Sequence, residues 1–264
     1  MPSINLQQVL IDSSFIIPLI LAITLHEAGH AFAANRLGDP TAKHMGRLSL
    51  DPLRHIDPFG TILLPGMLLL TNAPFRFGWA KPVPVNTRNL RHPRRDAILV
   101  SLAGPGMNIA LAFLSALLLH MDIIVSPEQV PWTFMNVYNS VTVNCVLAVF
   151  NMIPLLPLDG GRVLNGLLPR KLADKHAKTE RYGMLILLLL FMLPAILPNA
   201  GGLTEGFSYY CILVPADVLR DAVFHLAGIG INGLGFESGG ACDRLTTLRG
   251  AKRWVLAFLN CCLF

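Results

Sequence analysis

Residues 15–36 read FIIPLILAITLHEAGHAFAANR, an apolar run that carries His26-Glu27-Ala28-Gly29-His30 near its end. On a helix, positions i and i+4 share a face, so both imidazoles can reach one metal ion. Glu27, about 100° further round the axis, can address a water beside it. This is the HExxH pattern of zinc hydrolases. Two histidines at that spacing can also merely pack or hydrogen-bond, and five-residue patterns recur by chance. Ionisable groups inside an apolar span, however, are expensive to bury and mark function. The stretch therefore predicts a membrane-crossing helix and, on it, a site that uses water at membrane depth.

Composition agrees. Of 264 residues, 53% are hydrophobic and 14% charged, against roughly 25% charged in a soluble domain, and the mean hydropathy is +0.55. Such a chain is an integral membrane protein without room for a large soluble domain beside its spans. The net charge of +5 needs no nucleic-acid partner, because basic cytoplasmic loops produce it. The five cysteines are odd in number and lack CxxC spacing, which argues against a disulfide framework and against a cysteine zinc site. The first residues have no basic region ahead of the apolar run, so no cleavable signal peptide is expected.

Apolar runs fall at 9–35, 57–71, 97–120, 132–156, 182–198 and 208–227, and those near 20 residues can cross a hydrocarbon core of about 30 Å. The 57–71 run is short and holds Pro65-Gly66 at its middle, as a tilted span, a re-entrant piece or a half-buried helix would. Arg36, Lys43, Arg47 and Arg54 follow the first run. Six basic residues lie between Arg76 and Arg95, and six more between Arg162 and Arg181; the 121–131 and 199–207 loops carry only acidic charges. The positive-inside rule puts the basic loops in the cytoplasm and the acidic ones outside. The expectation is an all-α polytopic membrane protein of about five to six transmembrane helices, membrane-embedded over residues 1–228, with a tail of unknown role at 229–264. At about 1.5 Å per residue, His30 and His26 lie about 9 and 15 Å from Arg36, nearer the cytoplasmic face.

Two histidines leave a catalytic zinc short of its usual three protein ligands. Asn151-Met152-Ile153-Pro154-Leu155-Leu156-Pro157-Leu158-Asp159-Gly160-Gly161-Arg162 offers a carboxylate at the end of an apolar run, with Arg162 marking the same boundary that Arg36 marks for His30. Read alone, Asp159-Gly160 is an ordinary turn. Read beside HExxH, it places Asp159 at the level of the histidines. Pro154 and Pro157 also break helical bonding and free backbone groups that an extended substrate could use.

Together, HEAGH and NMIPLLPLDGGRVL resemble the site-2 protease family of intramembrane zinc metalloproteases, peptidase family M50, in its compact bacterial form. Leu37-Gly38-Asp39-Pro40-Thr41-Ala42 with Gly46-Arg47-Leu48, then Phe77 to Asn86 (FGWAKPVPVN), then Ala103-Gly104-Pro105-Gly106-Met107-Asn108 are similar to that family in the same order. The resemblance covers residues 12 to 225. It implies that His26, His30 and Asp159 are ligands of Zn²⁺, that Glu27 is the catalytic acid and base, and that Asn151 assists near the site. Asn108 lies in a segment resembling the family's Gly-Pro-x-x-Asn element, where a substrate role and a buried interhelical amide are equally open. The segment 77–86, with its alternating prolines, resembles a small extended or β element that pairs with unwound substrate, an interfacial loop being the alternative.

The expected function is a zinc endopeptidase of the bacterial inner membrane that hydrolyses peptide bonds within or beside transmembrane segments of protein substrates, with the lipid bilayer as its surroundings and no nucleic acid. A metal-ion transporter would favour repeated ligand motifs in corresponding halves, which the sequence lacks. A non-proteolytic membrane scaffold would have lost one of the four reactive groups. Gly228 to Gly233 fits GxGxxG without the strand, the βαβ unit or the acidic partner of a nucleotide site, and Cys261-Cys262-Leu263-Phe264 matches a prenylation box only in outline. His44 and His55, in the loop after the metal helix, are near enough in sequence to approach the site.

Overall fold

The computed structural model describes residues 13–55, 57, 63, 67, 81–120, 131–196, 206 and 209–229. Helix α1 spans Ile16–Arg36. It stops because Gly38 adopts a φ of +112°, a region that glycine enters at little cost. Gly38 N–H then donates to Asn35 O at 3.3 Å and Asp39 N–H to Ala34 O at 2.9 Å, the paired bonds of a Schellman end. A single turn, α2 (Thr41–His44), follows.

Helix α3 (Pro93–His120) begins ahead of its apolar run. A proline at the first helical position forfeits only an N–H that would be unbonded there anyway, and the Asp96 carboxylate accepts His92 N–H at 2.8 Å. Helix α4 (Pro131–Asn151) ends before its apolar run does, because Pro154 removes a donor and disfavours helix in the residue before it. The basic stretch after it is not a plain loop. It folds as α5 (Asp159–Leu167) and α6 (Arg170–Ala177), followed by α7 (Glu180–Ile196), a π-helical turn at Tyr209–Leu213 and α8 (Val214–Leu226).

Three helices among the described residues are long and apolar enough to cross a membrane: α1, α3 and α4. Of the other expected spans, 182–198 corresponds to the 17 residues of α7 and 208–227 to the π turn with the 13 residues of α8, while 57–71 lies almost wholly outside the described residues. Residues 77–80 of the expected β element and residues 230–264 of the tail also lie outside them. Lys81–Asn86 is irregular backbone, and no β-strand occurs among the described residues.

Interhelical bonds fix the order of packing. His30 meets Val100 while Asn108 meets Ala22, so α1 and α3 are antiparallel. Asn108 meets Asn144 and Ser115 meets Ser140, which makes α4 antiparallel to α3. Trp132 bonds Ser13 and Asn139 bonds Ser14, just ahead of α1, and with both helices antiparallel to α3, α1 and α4 run together. Outward from these seams, α1 shows Ile16, Ile17, Ile20 and Leu21 and α3 shows Leu99, Leu102, Ile109, Leu114 and Leu118, the apolar exterior a lipid-facing bundle requires.

Helix α8 differs from the direction implied by alternating loop charges. Ile212 and Ala216 join the core cluster that contains Leu147 and Phe150, whereas Val223, Phe224 and Ala227 join the one that contains Leu119 and Val141. Tyr138 stacks on Phe224 with ring centroids 6.1 Å apart. Helix α8 therefore runs antiparallel to α4. Only Glu205 charges the 199–207 loop, too little to set orientation by a rule that counts Lys and Arg.

Candidate metal centre

His26 and His30 project from one face of α1 and are 7% exposed. Asp159 reaches them from the first residue of α5 and is 6% exposed. The chain between Asn151 and Asp159 folds back on itself, with Leu155 N–H on Ile153 O at 2.7 Å and Leu158 N–H on Leu155 O at 2.9 Å. The start of α5 packs on that loop so closely that a Cβ on Gly160 would lie 2.2 Å from Met152 O.

His26 Nε2 and His30 Nε2 are each 3.2 Å from Asp159 Oδ2 and 3.1 Å from one another. A tetrahedral ion with bonds of about 2.0–2.1 Å separates its ligand atoms by about 3.3 Å, so the triangle has the right size. Among the described residues it is the one group of His, Cys, Asp or Glu side chains able to hold a metal.

Hydrogen bonding on the far side of each ring settles what the near side offers. His30 Nδ1 lies 2.7 Å from Val100 O, and a carbonyl can only accept, so Nδ1 carries the proton. His26 Nδ1 lies 2.5 Å from Asn108 Oδ1. That orientation of Asn108 follows from its amide nitrogen, which donates to Asn144 Oδ1 at 2.8 Å and to Ala22 O at 3.3 Å. Asn144 in turn donates to Ser140 O at 2.8 Å. In its neutral form each ring then aims a lone pair from Nε2 at the other and at a carboxylate oxygen. Asp159 Oδ2 is buried with no hydrogen-bond partner. With the rings neutral, three acceptors converge in a buried place, an arrangement that repels itself unless a cation, a metal ion in a site of this size, lies between them. The residues fit a zinc ion.

Room for these rings comes from α3. A Cβ on Gly104 would lie 2.4 Å from His30 Nε2 and 2.6 Å from His26 Cε1. Glu27 points elsewhere, as its place on the helix requires: half-buried, its Oε2 accepts the Val83 N–H at 2.8 Å.

The sequence-derived set is thus only partly assembled. His26, His30 and Asp159 meet, with Glu27 beside them on α1. Asn151 is half-buried, donates to Leu147 O of its own helix at 3.1 Å and, among the described residues, makes no hydrogen bond with the three. His44 is exposed, and His55 is buried with its Nε2 at 2.9 Å from Ser49 O, so neither joins the centre. Sequence reasoning left Asn108 undecided; the spacing of Gly104 and Asn108 by one helical turn was the available signal that both face α1. Val100 and Val83 act through backbone atoms, for which residue identity gives no signal.

Comparisons with known proteins bear on the chemistry of the chain as a whole. The model of peptidase family M50 matches residues 126–193. YwhC of Bacillus subtilis, described as a candidate zinc metalloprotease, is 40% identical over 185 residues, covering 68% of this chain and 80% of that protein. Rip2 of Mycobacterium tuberculosis, described in the same words, is 33% identical over 178 residues, covering 67% of this chain and 66% of its own length. Rip2 of Mycolicibacterium smegmatis is 29% identical over 177 residues, with the same coverage. No solved structure matches the chain significantly.

Proposed function

The chain belongs to peptidase family M50 and is a membrane zinc metalloprotease, and from that premise we propose that it cleaves peptide bonds within or beside transmembrane segments of other membrane proteins, with His26, His30 and Asp159 holding the zinc and Glu27 moving the proton. The observation that carries this reading is the buried triangle of two imidazole nitrogens from the apolar helix α1 and one carboxylate oxygen from α5, 3.1–3.2 Å on a side.

When bound, zinc acidifies water and polarises the peptide carbonyl, so hydrolysis proceeds near neutral pH. The protein does the rest. Asn108 and the Val100 carbonyl hold the rings with their Nε2 lone pairs inward. Glu27 takes a proton from the attacking water on Oε1, since Oε2 is engaged by Val83, and returns it to the leaving amine nitrogen. Asn151 supplies a donor to substrate backbone by exchanging the Leu147 carbonyl for it. A substrate helix hides its peptide bonds in its own hydrogen bonding, so it must unwind locally before it is cut. Helix-weakening residues near the cut favour cleavage.

In the same reading the site lies nearer the cytoplasmic face of a bacterial inner membrane. Arg36 at the end of α1 and Arg162 after Asp159 support that placement, as does the bacterial origin of the relatives. The test is Glu27→Gln in the purified full-length protein, with bound zinc and cleavage of a transmembrane substrate measured together. Zinc retained with cleavage lost is expected. A Glu27→Gln protein that cleaves at the wild-type rate removes Glu27 from the reaction.

A further inference from the structure

Of the three reactive residues on α1, Glu27 is the one that does not point at the others, and its carboxylate is held by another segment. We propose that the backbone N–H of Val83 is the positioning group for Glu27, and that Lys81–Asn86 is a brace whose purpose is to present it. The proposal rests on the metalloprotease reading of Glu27 and adds what fixes that side chain.

The local sequence is Lys81-Pro82-Val83-Pro84-Val85-Asn86. Prolines on both sides of Val83 have no N–H and hold φ near −65°, so Val83 presents the only donor between them. Its side chain is 7% exposed and packs with Ala31, Ala42, Leu48 and Val85. At this burial an N–H left without an acceptor would be strongly unfavourable, and the acceptor it finds is Glu27 Oε2 at 2.8 Å.

Both ends of the segment are tied down independently of the metal. Lys81 N–H donates to His55 O at 3.0 Å. Asn86 N–H donates to Asp39 Oδ2 at 2.6 Å, and Asp39 Oδ1 takes the Asn89 side-chain amide at 2.9 Å and the Thr41 hydroxyl at 2.5 Å. Asp39 itself is fully buried just beyond Gly38, so the same turn that ends α1 anchors the strap lying over it. A glutamate has three rotatable side-chain bonds and, free at a half-buried position, would spread its carboxylate over many rotamers. One fixed donor on Oε2 leaves Oε1 in a defined place for the attacking water, which is how binding geometry enters the rate.

Two substitutions separate donor from side chain. Val83→Pro removes the N–H and keeps an apolar residue in a proline-rich segment; Val83→Ala keeps the N–H. With a transmembrane substrate, Val83→Pro is expected to lower kcat by about 10- to 100-fold with KM within about twofold and zinc content unchanged, and Val83→Ala to rescue most of that loss. Because Val83→Pro can fail to fold, the contact is also read directly in full-length zinc-free protein labelled with ¹⁵N-valine. The Val83 amide proton moves upfield in Glu27→Gln, since an amide oxygen is a weaker acceptor than a carboxylate. Wild-type or raised kcat in Val83→Pro overturns the proposal, as does a Val83 resonance that ignores Glu27→Gln. An inactive Glu27→Gln beside a fully active Val83→Pro sinks this inference alone, whereas an active Glu27→Gln sinks the reading beneath it.

Discussion

Gly104→Ala adds one methyl group to the centre of α3, and the structure gives it nowhere to go. The new Cβ would lie 2.4 Å from His30 Nε2 and 2.6 Å from both His26 Cε1 and His30 Cε1, where unstrained heavy atoms stand about 3.5–4.0 Å apart. The shortfall of about 1 Å has to be absorbed by tilting the rings or by parting α1 from α3. Tilting breaks the bonds of His26 with Asn108 and of His30 with the Val100 carbonyl, whose counterparts in metal sites are worth about 10- to 100-fold in affinity. Parting the helices is an overpacking strain of about 1–3 kcal/mol. The expected result is a protein that still inserts and folds but binds zinc at least about tenfold more weakly, with the loss read by competition against a chromophoric chelator. Wild-type affinity in Gly104→Ala would show that the rings do not stand where a metal needs them.

Asn108→Leu removes the acceptor on His26 Nδ1 and the donor to Asn144 Oδ1 together; zinc affinity should fall by about 10- to 100-fold, and thermal unfolding should report a loss of about 1–3 kcal/mol from the unsatisfied Asn144. Asp39 offers a pH test outside the membrane. Burial pushes its carboxyl up, but hydrogen bonds from Thr41, Asn89 and Asn86 outweigh that and hold it below its ordinary value. Its contribution to stability is therefore complete above the unfolded pKa of about 3.9 and is lost as pH falls below that through the lowered folded value. In a titration from pH 6 downward the midpoint of thermal unfolding should drop in that window in the wild type and drop less in Asp39→Asn; equal slopes would contradict the assignment.

What the sequence carried, and what it did not, divides along physical lines. The pairing of His26 with His30 follows from the period of a helix, and the depth of Asp159 from where apolar runs meet arginine, so the convergence of these three side chains was legible. Helix ends were legible to the extent that prolines were read as such: Pro154 stops α4 at Asn151 although apolar residues run to Leu156. The short helices α5 and α6 lie in a stretch whose basic charge marked only its side of the membrane. Asn108, Val100 and Val83 depend on how α3 is rotated about its axis and on which backbone groups a loop leaves unpaired. Neither quantity is written in residue type. Asn151 shows the converse, a residue whose position suggested chemistry and whose amide is turned back onto its own helix.

Zinc K-edge absorption of the purified full-length protein tests the metal assignment most directly. Two imidazole nitrogens and carboxylate oxygen at about 2.0–2.2 Å with no sulfur shell, together with loss of bound zinc in Asp159→Ala, are the expected result. A sulfur ligand, or full zinc occupancy with an unchanged spectrum in Asp159→Ala, would contradict it.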